Sequence, residues 1–411
     1  MPLSSKDNAL DNAAIICGYS VRLPFAANSR ELIENLKQGK RVNKSFWFAS
    51  DREAMKCGFD KNKAVVPLEN KESSTLVLLD QLIKDALAQA KLDKRCLAGE
   101  KVRVYLTGLG PRVDTKYYRF LYDKNDIEDL KLIKSVKSLH GYHLSQDRLA
   151  HDIAHKYCLQ YLPPNLNCTS NSSLAAVHMG CQAIAKGAID LVMVINCSEI
   201  KSQDLWFLQN QSMLASDVVQ PFGKNSKSVL FAEGFCVMLL ESGRHRQARQ
   251  EKGGVSLRSA YTQISAKRSN DSTYLTRNIL KVMQNTMAEA EVTCDNICAI
   301  IPHGNGSEIS DKAEARALAM LLEKKQVPVL AYKGQIGYTI TGSGIVDLII
   351  AHHILQQDEL LPSVTNDVIV EEMSQYLLSE QGVVKHHKRH LLKTGVGVDG
   401  SIIGVILSNH G

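Results

Sequence analysis

Apolar and polar positions along the chain fall into two recurring patterns. Apolar runs of strand length occur at Ala13–Gly18, Val102–Thr107, Leu191–Asn196, Phe235–Glu241, Ile297–Ile301, Val327–Ala331 and Ile402–Leu407. Longer stretches with helical spacing lie between them: Ser29–Gln38, Ser73–Leu92, Ser172–Gly187, Tyr274–Ala290, Asp311–Lys324 and Gly344–Gln356. Strands alternating with helices predict an α/β architecture with a largely covered sheet. The runs near Leu191 and Ile297 are almost continuously apolar, as strands buried on both faces are. Residues Asp114–Gln160 differ, being rich in Lys, Asp, Tyr and His, and read as a solvated, mostly helical excursion. Tyr117, Tyr118 and Tyr122 within it read as packing residues.

Composition narrows the class. Of 411 residues, 44% are hydrophobic and 22% charged, which excludes collagen-like, disordered and disulfide-stapled chains. No apolar run approaches the ~18–20 residues of a membrane helix. The start, Met1 to Lys6, lacks a signal-peptide pattern and the end lacks a lipidation motif, so a cytoplasmic location is expected. Ten cysteines, most within apolar stretches such as Ala14–Cys17 and Gly234–Val237, read as buried free thiols. A net charge of +6 is too mild for a nucleic-acid binder but suits an acidic protein partner.

Two motifs carry little. Gly395 to Gly400 matches G-x-G-x-x-G, but a strand follows it where a dinucleotide site needs a helix. His386, His387 and His390 stand among Lys385, Lys388 and Arg389 and read as a solvated basic patch, not a metal site. No cofactor and no metal are expected.

Four segments carry more. From Leu166 to His178 small polar residues end a strand and an apolar helix begins, leaving Ser170 just before a helix N-terminus. Alone, this is no more than a helix cap. His303-Gly304-Asn305-Gly306-Ser307 follows an apolar strand and precedes a helix carrying Asp311 and Glu314. Lys333 to Thr339 is a strand-to-turn element, and Thr394-Gly395-Val396-Gly397 is a Gly-rich turn before the last strand. Each places polar groups at a strand end, where open α/β sheets build their sites.

With these residues the chain resembles the β-ketoacyl synthase (ketosynthase) family of the thiolase superfamily, nearly end to end. Gly18 to Pro24 resembles the N-terminal signature of polyketide-type ketosynthases, and Asn167 to His178 the segment around the nucleophile. Gln220-Pro221-Phe222 through Ala232-Glu233-Gly234 to Glu241 is similar to the P-F…G-E-G…L-x-E block. His303 to Glu314, Lys333 to Leu348 and Leu361 to Asn366 resemble the three blocks that follow. The resemblance implies a thiolase-like duplicated αβαβα layered core, with halves at 1–245 (including the 114–160 excursion) and 246–411. It also implies an acyl carrier protein as partner and a homodimer or a heterodimer with another ketosynthase-like subunit. No nucleic-acid or membrane partner is expected. The core fills the chain, so carrier, reductase and acyltransferase domains are expected on separate partners.

The departures from the family decide the chemistry. Ser170 stands where the family has its nucleophilic Cys, and Tyr338 where it has its second catalytic His. His303 and Lys333 are retained, and the F-G-F-G gate has become Thr394 to Gly397. A helix N-terminus can turn a thiol of pKa ~8.5 into a thiolate. A hydroxyl is not ionised that way, so Ser170 needs a base, with His303 the candidate. Decarboxylating a malonyl unit requires two donors on the thioester oxygen, each worth ~3–4 kcal/mol. Tyr338 offers one hydroxyl on a longer ring. Ordinary condensation is therefore not expected, and Cys168 reads as core packing. Two functions remain open, with residual condensation of an altered kind as a third. One is an acyltransferase, with Ser170 as acyl acceptor and His303 as base. The N–H groups of Ser170 and of Thr394, Gly395 and Val396 would supply its oxyanion hole. The other is a silent, chain-length-factor-like partner of an active ketosynthase. The surviving Ser170–His303 pair tips the expectation toward the enzyme.

Overall fold

The computed structural model describes residues 11–69, 74–115, 145–265, 272–379 and 382–411. Most of the excursion, including Tyr117, Tyr118 and Tyr122, lies outside the described residues. Nine strands form the main sheet: β1 (Ala14–Arg22), β2 (Val102–Gly108), β3 (Asn165–Leu166), β4 (Leu191–Ser198), β5 (Gly234–Ser242), β6 (Val255–Ile264), β7 (Ile297–Ile301), β8 (His390–Val396) and β9 (Ser401–Asn409). Their spatial order is β3-β2-β4-β5-β1-β6-β9-β8-β7. β2 runs parallel to β3 and β4, and β7 parallel to β8, while the remaining neighbours are antiparallel.

The order shows a repeat. From one edge, the first five strands lie third, second, fourth, fifth, first in chain order. From the other edge, Val329 bridges to Ile300 of β7, and then come β8, β9 and β6. Counting Val329 as the third element, the sequence of positions is the same. The two halves meet where β1 pairs with β6 at Ala14–Leu257 and Ile15–Ser256.

Five helices position the rest: α1 (Thr75–Gln89), α2 (Ser172–Ala185), α3 (Ser272–Glu289), α4 (Glu308–Leu322) and α5 (Ser343–Gln357). Alternate residues of β4 face opposite ways, as a two-residue period demands. Val192 and Val194 join a central core with Leu174 and Val177 of α2 and Ile345 and Leu348 of α5. Leu191, Met193 and Ile195 pack outward with Leu79, Leu82 and Ile83 of α1. In the second half, β7 and β9 pack outward on Ile279 and Met283 of α3 and Leu318 of α4. The result is a layered helix–sheet–helix–sheet–helix body with α2 and α5 in the middle. α5 is apolar almost all round because it is covered on every side.

Three expectations need correction. Val327–Ala331 is not a strand: Val329 forms isolated bridges to Ile300 and to Leu377, with Ile300 bonded to the Pro328 carbonyl and to the Leu330 N–H, both at 2.9 Å. Pro328 has no N–H with which to extend the ladder. Thr394 to Val396 is the end of strand β8, not a free turn. His386 is buried with Nε2 3.0 Å from the Ile354 carbonyl, and His390 opens β8 with Nδ1 2.7 Å from Ser408 Oγ. These two histidines are structural, not a solvated patch. All ten cysteines are free; Cys197, Cys236, Cys294 and Cys298 are buried, Cys158 is exposed and the others are half-buried. Among the described residues no helix is long and apolar enough to cross a membrane.

Candidate active site

After β3 the chain turns sharply through Thr169, whose φ of 46° is in the left-handed region that β-branched residues avoid. The turn is held by its neighbours. Asn171 Nδ2 donates to the Ser401 carbonyl at 3.0 Å and to Ser401 Oγ at 2.9 Å. Ser172 Oγ accepts the Cys168 N–H at 3.0 Å and donates to the Thr169 carbonyl at 2.7 Å. A short 3-10 turn, Thr169–Asn171, then leads into α2 and leaves Ser170 buried beneath the helix N-terminus.

The end of β8 lies against this elbow. A Cβ on Gly395 would sit 2.2 Å from Asn171 Oδ1, so a residue without a side chain is required there. Ladder register sets the direction of Val396. Gly397 N–H donates to the Ser401 carbonyl at 2.8 Å, which makes the Val396–Ile402 pair a non-hydrogen-bonded one. The Val396 N–H and C=O therefore turn away from β9. Ser170 Oγ donates to that carbonyl at 2.9 Å. The Val396 N–H points to the same side. Thr394 looks elsewhere, its Oγ1 donating to Glu314 Oε1 at 2.7 Å. Of the three residues expected to form an oxyanion hole, Val396 borders the cavity, and Thr394 and Gly395 stand behind it.

His303 follows β7 on a loop shaped by two carboxylates of α4. Glu314 accepts the N–H groups of His303 and Gly304, each at 2.8 Å. Asp311 accepts those of Asn305 and Gly306 at 3.0 Å and of Phe222 at 2.8 Å. Burial, with the Glu314 charge adding to it, pushes the Asp311 carboxyl up to about 7 despite these donors. The imidazole has a specific partner: His303 Nε2 lies 3.1 Å from Asn305 Nδ2. Asn305 Oδ1 accepts the Ser307 N–H at 3.0 Å and Ser310 Oγ–H at 3.2 Å. That fixes the amide, so Nδ2 donates, Nε2 accepts, and the network assigns the His303 proton to Nδ1. Burial, then Lys333 and Lys393, hold His303 well below its ordinary value, so the ring is neutral.

Behind the ring lies a buried ionic cluster. Lys333 Nζ is 2.7 Å from Asp347 Oδ2, and Lys393 Nζ is 2.6 Å from the same oxygen and 3.0 Å from the Pro302 carbonyl. Burial pushes the Lys393 ammonium down to about 8, against the pull of Asp347. Tyr338 is buried, with its ring edge-on to His303 at 5.8 Å between centroids and 84° between planes. Its hydroxyl engages Ser170 and Asn305, and burial pushes it up to about 12.

A cavity of about 280 Å³ connects these groups. Ser170, His303, Asn305, Tyr338, Val396 and Gly397 border it, with Met213, Leu275 and Ile402 apolar and Tyr274 and Asn278 polar around them. The structure thus brings Ser170, His303, Tyr338 and Val396 together, while Lys333, Thr394 and Gly395 stand behind. Cys168 does not border the cavity, and burial, then Asp399, push its thiol up. Among the described residues no hydrogen bond joins Ser170 to His303, and no group of three metal-ligating side chains is assembled. Sequence reasoning missed Asn305, Asp347 and Lys393. A signal for the first was available, an amide inside the H-G-x-G motif where the family has Thr.

A layered core of this order, with a strand-to-helix elbow facing a His loop, defines the thiolase-like ketosynthase class. The N-terminal domain profile of the β-ketoacyl synthases matches residues 12–246 and the C-terminal domain profile matches 256–367. The chain belongs to the β-ketoacyl synthase family. It is 24% identical over 217 residues to the non-reducing polyketide synthase pks11 of Talaromyces marneffei, covering 49% of this chain. It is 25% identical over 190 residues to the pikromycin polyketide synthase component PikAIII of Streptomyces venezuelae, covering 44%. The chain spans 8% of the first relative's length and 12% of the second's. Among solved structures it superposes on a type II polyketide ketosynthase in complex with its acyl-carrier protein with a TM-score of 0.81, 18% identity and coverage of 96% and 98%. For the ishigamide ketosynthase/chain length factor the TM-score is 0.78, with 17% identity and coverage of 97% and 99%.

Proposed function

We propose that this chain is a ketosynthase-fold subunit whose own site is catalytically silent, acting beside an active ketosynthase and an acyl carrier protein in polyketide or fatty acid biosynthesis. One observation carries the reading: Ser170 gives its proton to the Val396 carbonyl and shares no hydrogen bond with His303. A serine hydroxyl needs a base within reach to attack a thioester. The neutral imidazole is turned to Asn305 instead. Tyr338 stands where the second donor for decarboxylation is needed, with its hydroxyl already engaged. This reverses the lean of the sequence toward an acyltransferase. The solved ketosynthase/chain length factor and ketosynthase–carrier assemblies supply precedent for such partners on this fold. The +6 charge is suited to an acidic carrier.

One observation favours a second reading, acyl transfer through Ser170. The cavity reaches Ser170, where its own N–H at the α2 N-terminus and that of Val396 could cradle an oxyanion. Intact-protein mass after incubation with acyl-loaded carrier protein separates the two. The silent reading expects no added acyl mass, together with co-purification with an active ketosynthase. An adduct that disappears in Ser170→Ala establishes the acyltransferase and ends the silent reading.

A further inference from the structure

We propose that Asn305 is a positioning residue that holds His303 as the Nδ1–H tautomer with its Nε2 lone pair occupied, and so withholds the imidazole from Ser170. The inference deepens the silent-site reading and rests on it for its functional meaning. The geometry itself is independent of any activity.

The argument begins with what an amide can do. A carboxamide presents an acceptor on one side and donors on the other, and its orientation follows from the partners around it. Two donors converge on Asn305 Oδ1, the Ser307 N–H and Ser310 Oγ–H. Rotating the amide would set its NH₂ against the Ser307 N–H, a group that can only donate, and leave Oδ1 facing His303. The amide is therefore locked, and it meets Nε2 as a donor. In a neutral imidazole one nitrogen accepts and the other donates, and the partner of one fixes the role of the other. His303 itself cannot swing to another partner easily. Its N–H is tied to Glu314, the loop beyond it to Asp311, and the Tyr338 ring closes on it edge-on. Among the described residues, the hydrogen bond that Nε2 makes is to the side chain at 305. A threonine or alanine at that position has no NH₂ group to offer.

The test reads the tautomer, which a merely space-filling role for Asn305 would not move. Full-length protein with ¹⁵N-labelled histidine is examined by long-range ¹H–¹⁵N spectroscopy, with His303→Gln used to assign the His303 signals. Wild type is expected to show a protonated Nδ1 and a bare Nε2. In Asn305→Asp, a near-isosteric side chain that accepts, the proton is expected to move to Nε2. In Asn305→Ala, His303 is expected to react with diethyl pyrocarbonate about five- to tenfold faster than in wild type, the size of one lost hydrogen bond. A wild-type spectrum with the proton on Nε2, or an Asn305→Asp spectrum unchanged from wild type, overturns the proposal. The wild-type measurement needs no variant of Asn305 to fold. If acyl mass appears on wild-type Ser170 while the tautomer is as expected, the silent-site reading fails and the role of Asn305 as a clamp stands.

Discussion

The molecule contains the elbow twice. In the first half Thr169, at φ 46°, opens the 3-10 turn Thr169–Asn171 and α2 follows. In the second half Ile340, also at φ 46°, opens the turn Ile340–Gly342 and α5 follows. Ser170 and Thr341 are therefore counterparts, yet their surroundings differ. Ser170 borders a cavity, donates to a strand-end carbonyl and is engaged by the Tyr338 hydroxyl. Thr341 is sealed in a network, donating to Asn196 Oδ1 at 3.0 Å and lying 2.6 Å from Ser198 Oγ. Further along the helices the contrast inverts: α2 has buried Ala176 where α5 has buried Asp347, the anchor of two lysines. A strained strand-to-helix turn is thus not in itself a site. It becomes one where the opposing strand end leaves its N–H and C=O unpaired by the ladder and a cavity reaches them.

This contrast can be broken, first at its charged end. Asp347→Ala gives α5 the residue of α2 and strands two buried ammonium groups. A loss of about 3–5 kcal/mol in urea unfolding is expected, and a loss below about 1 kcal/mol would show that the lysines find water. Next comes the sealed elbow. Thr341→Val leaves Asn196 and Ser198 short of a partner and should cost about 1–3 kcal/mol by the same measurement.

The pH dependence tests the neutral ring beside the open elbow. Because His303 is held low when folded, the unfolded chain binds a proton first as pH falls through the ordinary histidine range. Stability attributable to His303 is therefore full above about pH 6.5 and declines below it, with a slope of up to about 1.4 kcal/mol per pH unit. His352, pushed by burial down to about 4, contributes in the same direction, so the informative quantity is the difference from His303→Gln. The variant should show a shallower loss between pH 6.5 and 5; identical slopes would mean that His303 is protonated in the fold. The smallest effect belongs to Ser170→Ala. It removes the bond to Val396 and the contact with the Tyr338 hydroxyl beside a cavity where water can replace the serine hydroxyl, so about 0.5–1.5 kcal/mol is expected. A cost as large as that of Thr341→Val would make Ser170 a structural residue and dissolve the contrast.

Much of this was legible in the sequence, for identifiable reasons. β4 and β7 read as strands because both faces are covered and their apolar runs are unbroken. β6 was not read, because it mixes buried Ser256 and Ser259 with exposed Arg258. β8 was not read because it contains Lys393, a charge that makes sense inside a strand only once Asp347 is known to face it. Ser170, His303 and Tyr338 could be gathered because each ends an element within a family motif. The direction of Ser170 could not, since it depends on which side of a ladder Val396 presents. Asn305 was in view, but the orientation of its amide is set by Ser307 and Ser310 together, and so belongs to the fold.

The placement of α2 and α5 has a bearing on synthesis. The inward face of α2 is completed by α5 and by strands from the far half, all of which leave the ribosome later. At about 5–20 residues per second, the first half waits roughly ten to thirty seconds with that face uncovered. During that interval a nascent chain would offer an apolar helix to whatever is nearby, so chaperone demand should fall on the time between the two helices, not on the finished protein.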